Sequence, residues 1–248
     1  MANLVIDIGN SFTKLAVFNG NDLVWLESYN HIDTNILTNV LNTYKPQKAI
    51  VSSVKKQAES WEQYLGSQVK LIKFSNNMAK SVKNHYQTPH TLGADRIAAV
   101  AGARALYPDK ANLVIDAGTC ITYDMIDKEG NYFGGSISPG LNMRYKAVNY
   151  YTSALPLLAP DDSFTGSFGY NTDTAIRSGV QNGIRFEVLG FIESYFKTQP
   201  SMNVILTGGD SIFFDTVLKN SIFAPHIKIE PHLVLIGLNA VIQHHNDQ

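Results

Sequence analysis

Three short stretches carry the side chains whose types and spacing could do chemistry. They are Asp7-Ile8-Gly9-Asn10-Ser11-Phe12-Thr13-Lys14, Gly93-Ala94-Asp95-Arg96 and Asp116-Ala117-Gly118-Thr119. The first offers a carboxylate, a glycine, two hydroxyls, an amide and an ammonium, an inventory that suits a polyphosphate with its metal ion. A carboxylate holds Mg²⁺ directly or through water. Gly9 lets the backbone come close to a ligand, and the polar neighbours donate to phosphate oxygens. The third stretch repeats a carboxylate and a hydroxyl, so Asp7 and Asp116 form a candidate site for a divalent or monovalent cation. In the second, Asp95 at a helix start can accept a proton from an attacking alcohol, while Arg96 binds an anionic group or stabilises charge. Phosphoryl transfer asks for little more, because its transition state is loose and catalysis is mostly positioning and charge stabilisation. Each stretch also has an ordinary structural reading. Asp, Gly and Asn make hairpin turns, and an aspartate in a first helical turn interacts with the helix dipole for ~0.3–1 kcal/mol.

The elements that must position these residues follow from the apolar pattern. Residues 4–8, 14–18 and 23–27 read as strands, with Asn19-Gly20-Asn21-Asp22 as a turn. Asp33 caps a helix with Ile36, Leu37, Val40, Leu41 and Tyr44 on its apolar face, ended by Pro46. A strand over 48–54, a helix over 58–65 and a strand over 69–74 follow. Residues 75–92 read as a polar loop with one helical turn near 77–82. A helix then runs from Ile97 to Leu106, its alanines predicting close packing against another element. Residues 113–119, 121–126 and 132–138 are strands, and Pro139-Gly140 starts a helix over 141–148. A long loop spans 149–171. Thr172 to Phe196 reads as one helix, followed by a strand ending at Gly208-Gly209-Asp210, which either lets a nucleoside approach the backbone or simply turns tightly. A helix over 212–218, a strand over 226–229 and a helix over 233–243 close the chain.

The order β-β-β-α-β-α-β in the first part recurs, with the long loop inserted, in the second. Both copies open with two apolar residues, Ile, Asp, one residue and Gly. That internal echo predicts an α/β protein of two related lobes, residues 1–110 and 111–248, around a central cleft.

Composition removes other classes. Of 248 residues, 44% are hydrophobic and 17% charged, which is globular and not disordered. A net charge of −1 without a basic block argues against a nucleic-acid or anionic-membrane surface. One cysteine, Cys120, excludes an intramolecular disulfide, and no apolar run is long enough for a membrane span. A soluble cytoplasmic protein is expected. There is no Gly-x-x-x-x-Gly-Lys-Ser/Thr loop, no Gly-x-Gly-x-x-Gly after a strand and no Gly-x-Ser-x-Gly elbow. The histidines show no metal-ligand spacing.

Taken together, DIGNSFTK, HTLGADR, DAGTCITYD and GGSISPG, in that order, resemble type III pantothenate kinases, over essentially the whole chain. That family belongs to the acetate and sugar kinase/heat-shock-70/actin superfamily, so the resemblance implies two ribonuclease-H-like lobes. It implies ATP-dependent phosphorylation of pantothenate, the first step toward coenzyme A. Asp7 to Lys14 match the family's first phosphate motif, and Thr119 an ATP contact. Gly93, Ala94, Asp95 and Arg96 match the pantothenate-binding segment, with Asp95 as general base, and Tyr86 a residue lining the same pocket. Asp116 matches the ligand of a monovalent cation, K⁺ or NH₄⁺, beside the Mg²⁺ that accompanies ATP. Thr172 matches a threonine reaching pantothenate from the partner subunit, which implies a homodimer. Ser11 stands where threonine is common and Cys120 where alanine is. The family has also carried a regulatory name, Bvg accessory factor, so a non-catalytic regulator stands beside the kinase. So does another small-molecule kinase or a phosphatase of the superfamily.

Overall fold

A computed structural model describes residues 1–9, 12–53 and 59–245. The chain divides into two compact units, residues 1–109 with 129–133 and 232–248, and residues 110–128 with 134–231.

The first unit begins with β1 (Ala2–Ile8), β2 (Thr13–Asn19), β3 (Asp22–Tyr29), α1 (Thr34–Tyr44), β4 (Lys48–Ser53), α2 (Glu62–Gln68) and β5 (Lys70–Lys73). The strands lie in the order β3-β2-β1-β4-β5. β1 is antiparallel to β2 and parallel to β4. Leu4, Ile6, Leu15 and Val17 from the sheet, Leu37 and Val40 from α1, and Trp61 and Leu65 share one core. Asp33 caps α1 as its sequence position predicts, Oδ1 accepting from Ile36 N at 2.9 Å. Lys45 leaves the helix in the left-handed region, φ 47°, immediately before Pro46. β6 (Lys83–Asn84) and α3 (Ala94–Leu106) complete this stretch of chain.

The second unit is built from β7 (Asn112–Ala117), β8 (Cys120–Ile126), β9 (Asn131–Pro139), α4 (Leu141–Tyr150), α5 (Thr172–Arg177), α6 (Gly183–Phe196), β10 (Asn203–Thr207), α7 (Ser211–Leu218) and β11 (Ile227–Ile229). Its strand order is β11-β10-β7-β8-β9. Read from the other edge, that is β9-β8-β7-β10-β11, the first sheet's order strand for strand. The duplication inferred from Ile-Asp-x-Gly is therefore a duplication of topology. β6 adds one short rung that the polar sequence of 75–92 does not announce. Lys83 pairs with Asn131 and Asn84 with Tyr132, residues of the first unit.

Residues 172–196, expected as one helix, are helical throughout but not uniform. A π turn over Ser178–Asn182 separates α5 from α6. It brings Val180 and Gln181 inward, and Gln181 ties down the long loop, donating from Nε2 to Asp161 O at 3.0 Å.

The last helix, α8 (Leu233–His244), packs on α3 in the first unit. The alanines of α3 now have their explanation. A Cβ at Gly102 would meet Leu233 O, and one at Gly237 would meet Ala98 O, so the two backbones touch across a seam of small residues. Among the described residues, no helix is long and apolar enough to cross a membrane.

Candidate active site

The turn between β1 and β2 is closed by Gly9 N donating to Phe12 O at 3.0 Å. Asp7 stands opposite Lys14 across the antiparallel pair, so carboxylate and ammonium share one face of the ribbon. Ile8 and Thr13 face the other way and are buried, while Phe12 is exposed. Asn10 and Ser11 lie outside the described residues.

The segment ahead of α3 gathers the second group. Gly93 is the N-cap, and Ala94, Asp95 and Arg96 are the first three helical residues. Asp95 Oδ1 accepts from Arg96 N at 2.8 Å. A Cβ on residue 93 would collide with that same Oδ1, which is why glycine stands there. Arg96 is buried, and its guanidinium lies 5.8 Å from the centroid of the Tyr86 ring. Tyr86 in turn stacks on Tyr132, the centroids 6.5 Å apart. The fold thus brings Tyr86 onto the neighbouring pair Asp95 and Arg96, and the three form one constellation. Asn76, which the sequence did not single out, holds the approach: its Nδ2 donates to Leu92 O at 3.0 Å and to Pro89 O at 3.4 Å. A loop asparagine has no sequence signal that would have marked it.

The third group lies in the second unit. Asp116, near the end of β7, has Thr122 of β8 and Thr207 of β10 as register neighbours. Gly208 sits so close, with φ 87°, that a Cβ there would strike Asp116 Oδ1 and Ala117 O. Asp210 N donates to Ala117 O at 2.9 Å, and burial pushes the Asp210 carboxyl above its ordinary value. Thr119 is exposed at the turn, and its carbonyl accepts from Gly140 N at 3.1 Å. A Cβ at Gly140 would overlap Gly118 O and Thr119 O, so the glycine of GGSISPG lets the strap lie flat on this turn. Thr172 is exposed at the first position of α5, behind an Asn171–Thr174 capping box.

Asp7 offers a carboxylate to a cation carried in by a nucleotide's phosphates. No group of three or more His, Cys, Asp or Glu side chains stands together among the described residues. Mg²⁺ is usually held by one or two carboxylates and the substrate's phosphates, keeping several waters. Asp7, half-buried beside a turn with an ammonium across the ribbon, meets that requirement.

The sequence model of the type III pantothenate kinases matches residues 3–194. The chain belongs to the type III pantothenate kinase family. A type III pantothenate kinase of Phocaeicola vulgatus is 42% identical over 245 residues, covering 98% of this chain and 99% of the relative. One from Christiangramia forsetii is 42% identical over 250 residues, covering 99% and 100%. Among solved structures, a Campylobacter jejuni protein assigned to the Baf family of transcriptional activators aligns with a TM-score of 0.59 at 23% identity, covering 97% of each chain. A glucokinase from an Antarctic psychrotroph aligns with a TM-score of 0.54 at 12% identity, covering 98% of each. At those identities the likeness concerns fold alone. It is the fold of sugar kinases, with two ribonuclease-H-like lobes, and the type III pantothenate kinase family is a family of kinases.

Proposed function

We propose that this chain transfers the γ-phosphoryl group of ATP to the terminal hydroxyl of pantothenate, giving 4'-phosphopantothenate on the way to coenzyme A. The observation that carries the reading is the constellation of Tyr86, Asp95 and Arg96, in a chain of the type III pantothenate kinase family. Asp95 takes the proton of the attacking hydroxyl as its oxygen bonds to phosphorus. The bridging P–O bond breaks, and ADP leaves with that oxygen. Gly93 and Ala94 line the acceptor's path, Tyr86 walls the pocket, and the buried Arg96 binds the acid's negative charge. Residues 7–14 and Thr119 hold the nucleotide phosphates. Mg²⁺ bound with ATP supplies charge neutralisation, with Asp7 on its side of the site. Asp116 holds K⁺ or NH₄⁺. The active form is a cytoplasmic homodimer in which Thr172 reaches the partner's pantothenate. A non-catalytic regulator would be expected to have lost Asp7 or Asp95, and both are present.

The test is direct. The purified chain is incubated with ATP, Mg²⁺, K⁺ and, in parallel, pantothenate and a panel of sugars, and products are read by mass spectrometry. Phosphopantothenate as the dominant product supports the reading. Phosphorylation of a sugar instead, or of nothing, contradicts it.

A further inference from the structure

Glu187, on α6, accepts three hydrogen bonds from three other elements. Tyr123 Oη of β8 donates to Oε1 at 2.8 Å, and Ser138 Oγ of β9 to the same oxygen at 2.6 Å. Arg144 of α4 donates from an Nη to Oε2 at 2.6 Å, an ion pair with both partners partly buried. Arg144 also reaches back from Nε to Pro139 O at 2.8 Å. The next residue is Gly140, whose N–H holds Thr119 O. Two chains of contact therefore run from one carboxylate to one turn. One passes through Tyr123 down the strand that begins right after Thr119. The other passes through Ser138, Arg144 and Pro139 to the strap that Gly140 lays against Gly118 and Thr119.

From this we infer that Glu187 is a positioning residue for the Gly118–Thr119 turn, acting through Arg144 and the Ser138–Gly140 strap. The inference rests on the reading of Thr119 as a nucleotide contact. Charge-assisted hydrogen bonds are the strong ones, and a carboxylate that satisfies three donors fixes all three elements at once. Glu187 and its three donors, Tyr123, Ser138 and Arg144, all belong to the second unit. Loss of the cluster should weaken nucleotide handling and spare the acceptor.

The experiment is a steady-state comparison of the full chain with Thr119→Ala, Glu187→Gln and Arg144→Gln, varying ATP and pantothenate separately and recording melting temperature. Thr119→Ala tests the nucleotide reading itself. If it raises the KM for ATP, Glu187→Gln and Arg144→Gln should each raise it about tenfold, with the KM for pantothenate near wild type. An unchanged KM for ATP in both, or equal rises for both substrates, overturns the positioning role while leaving the nucleotide reading standing. If Thr119→Ala leaves the KM for ATP alone, the nucleotide reading fails and the inference falls with it. A variant that merely loses folded protein would lower kcat with both KM values unchanged, which also counts against positioning. Should neither hub variant fold, Tyr123→Phe removes a single donor. A rise of about threefold in the KM for ATP then supports the role, and no rise overturns it.

Discussion

The carboxylate of Asp95 occupies the space that a side chain on Gly93 would fill, with Oδ1 2.8 Å from Arg96 N. The glycine and the acid are two halves of one device. A residue without a Cβ at the N-cap lets the carboxylate lean onto its own helix terminus, where it is aimed by the backbone and not by a flexible neighbour. Gly93→Ala should therefore behave as an active-site mutation although alanine carries no charge. A displacement of about 1 Å of a catalytic group costs about 10²-fold in rate. We expect a fall of that order in kcat, with the melting temperature within a few degrees of wild type. Rates near wild type would mean that the contact is incidental.

Arg96 over the Tyr86 ring makes a second prediction. A planar guanidinium both stacks on an aromatic ring and forks onto a carboxylate, which an ammonium cannot do. Arg96→Lys should raise the KM for pantothenate about three- to tenfold with the KM for ATP unchanged. Substrate-saturation curves decide it, and a change confined to ATP would reassign Arg96 to the nucleotide.

The hub on Glu187 makes the stability pH-dependent. Burial raises the pKa of Glu187, but hydrogen bonds from Ser138, Arg144 and Tyr123 outweigh it, and the folded value lies below the ordinary one. The sign follows. A carboxylate depressed in the folded state contributes stability that is present above its unfolded pKa, about 4.3, and is lost as the pH falls through the lower folded value. Glu187→Gln should remove that part of the acid dependence, so melting curves of variant and wild type converge as the pH drops from 6 toward about 3. A constant gap across that range would contradict the assignment. The same cluster pushes the Tyr123 phenol up, first by burial, then by its hydrogen bond to Glu187 and by that carboxylate's charge.

The seam between α3 and α8 can be probed away from the site. Gly237→Ala inserts a methyl where Ala98 O already lies. Overpacking of this kind costs about 1–3 kcal/mol. A clear drop in melting temperature is expected, and an unchanged one would mean that the helices do not meet there.

Much of this molecule was legible in its residues, for identifiable reasons. Strands with strong apolar runs, such as Leu4–Ile8 and Leu113–Ile115, declare themselves through burial. The cap at Asp33 and the stop before Pro46 are local chemistry. The repeated Ile-Asp-x-Gly exposed a duplication that the matching strand orders then made explicit. What stayed hidden is long-range. The rung from Lys83 and Asn84 to β9 is two residues long and polar. The grip of Asn76 on Leu92 and the hub on Glu187 join residues 16 to 64 positions apart, where no local pattern points. The π turn inside 172–196 keeps a helical apolar rhythm, so a period of 3.6 passes over it. Nor does the apolar face of α8 state which element it will cover.

The proposed chemistry rests on Asp95. The decisive measurement is the turnover of Asp95→Asn on pantothenate at saturating ATP, Mg²⁺ and K⁺, with nucleotide affinity and melting temperature taken on the same sample. General-base catalysis is worth about 10²–10⁴-fold, and kcat should fall by that order while the nucleotide still binds. Turnover like that of the wild type would contradict the proposed chemistry.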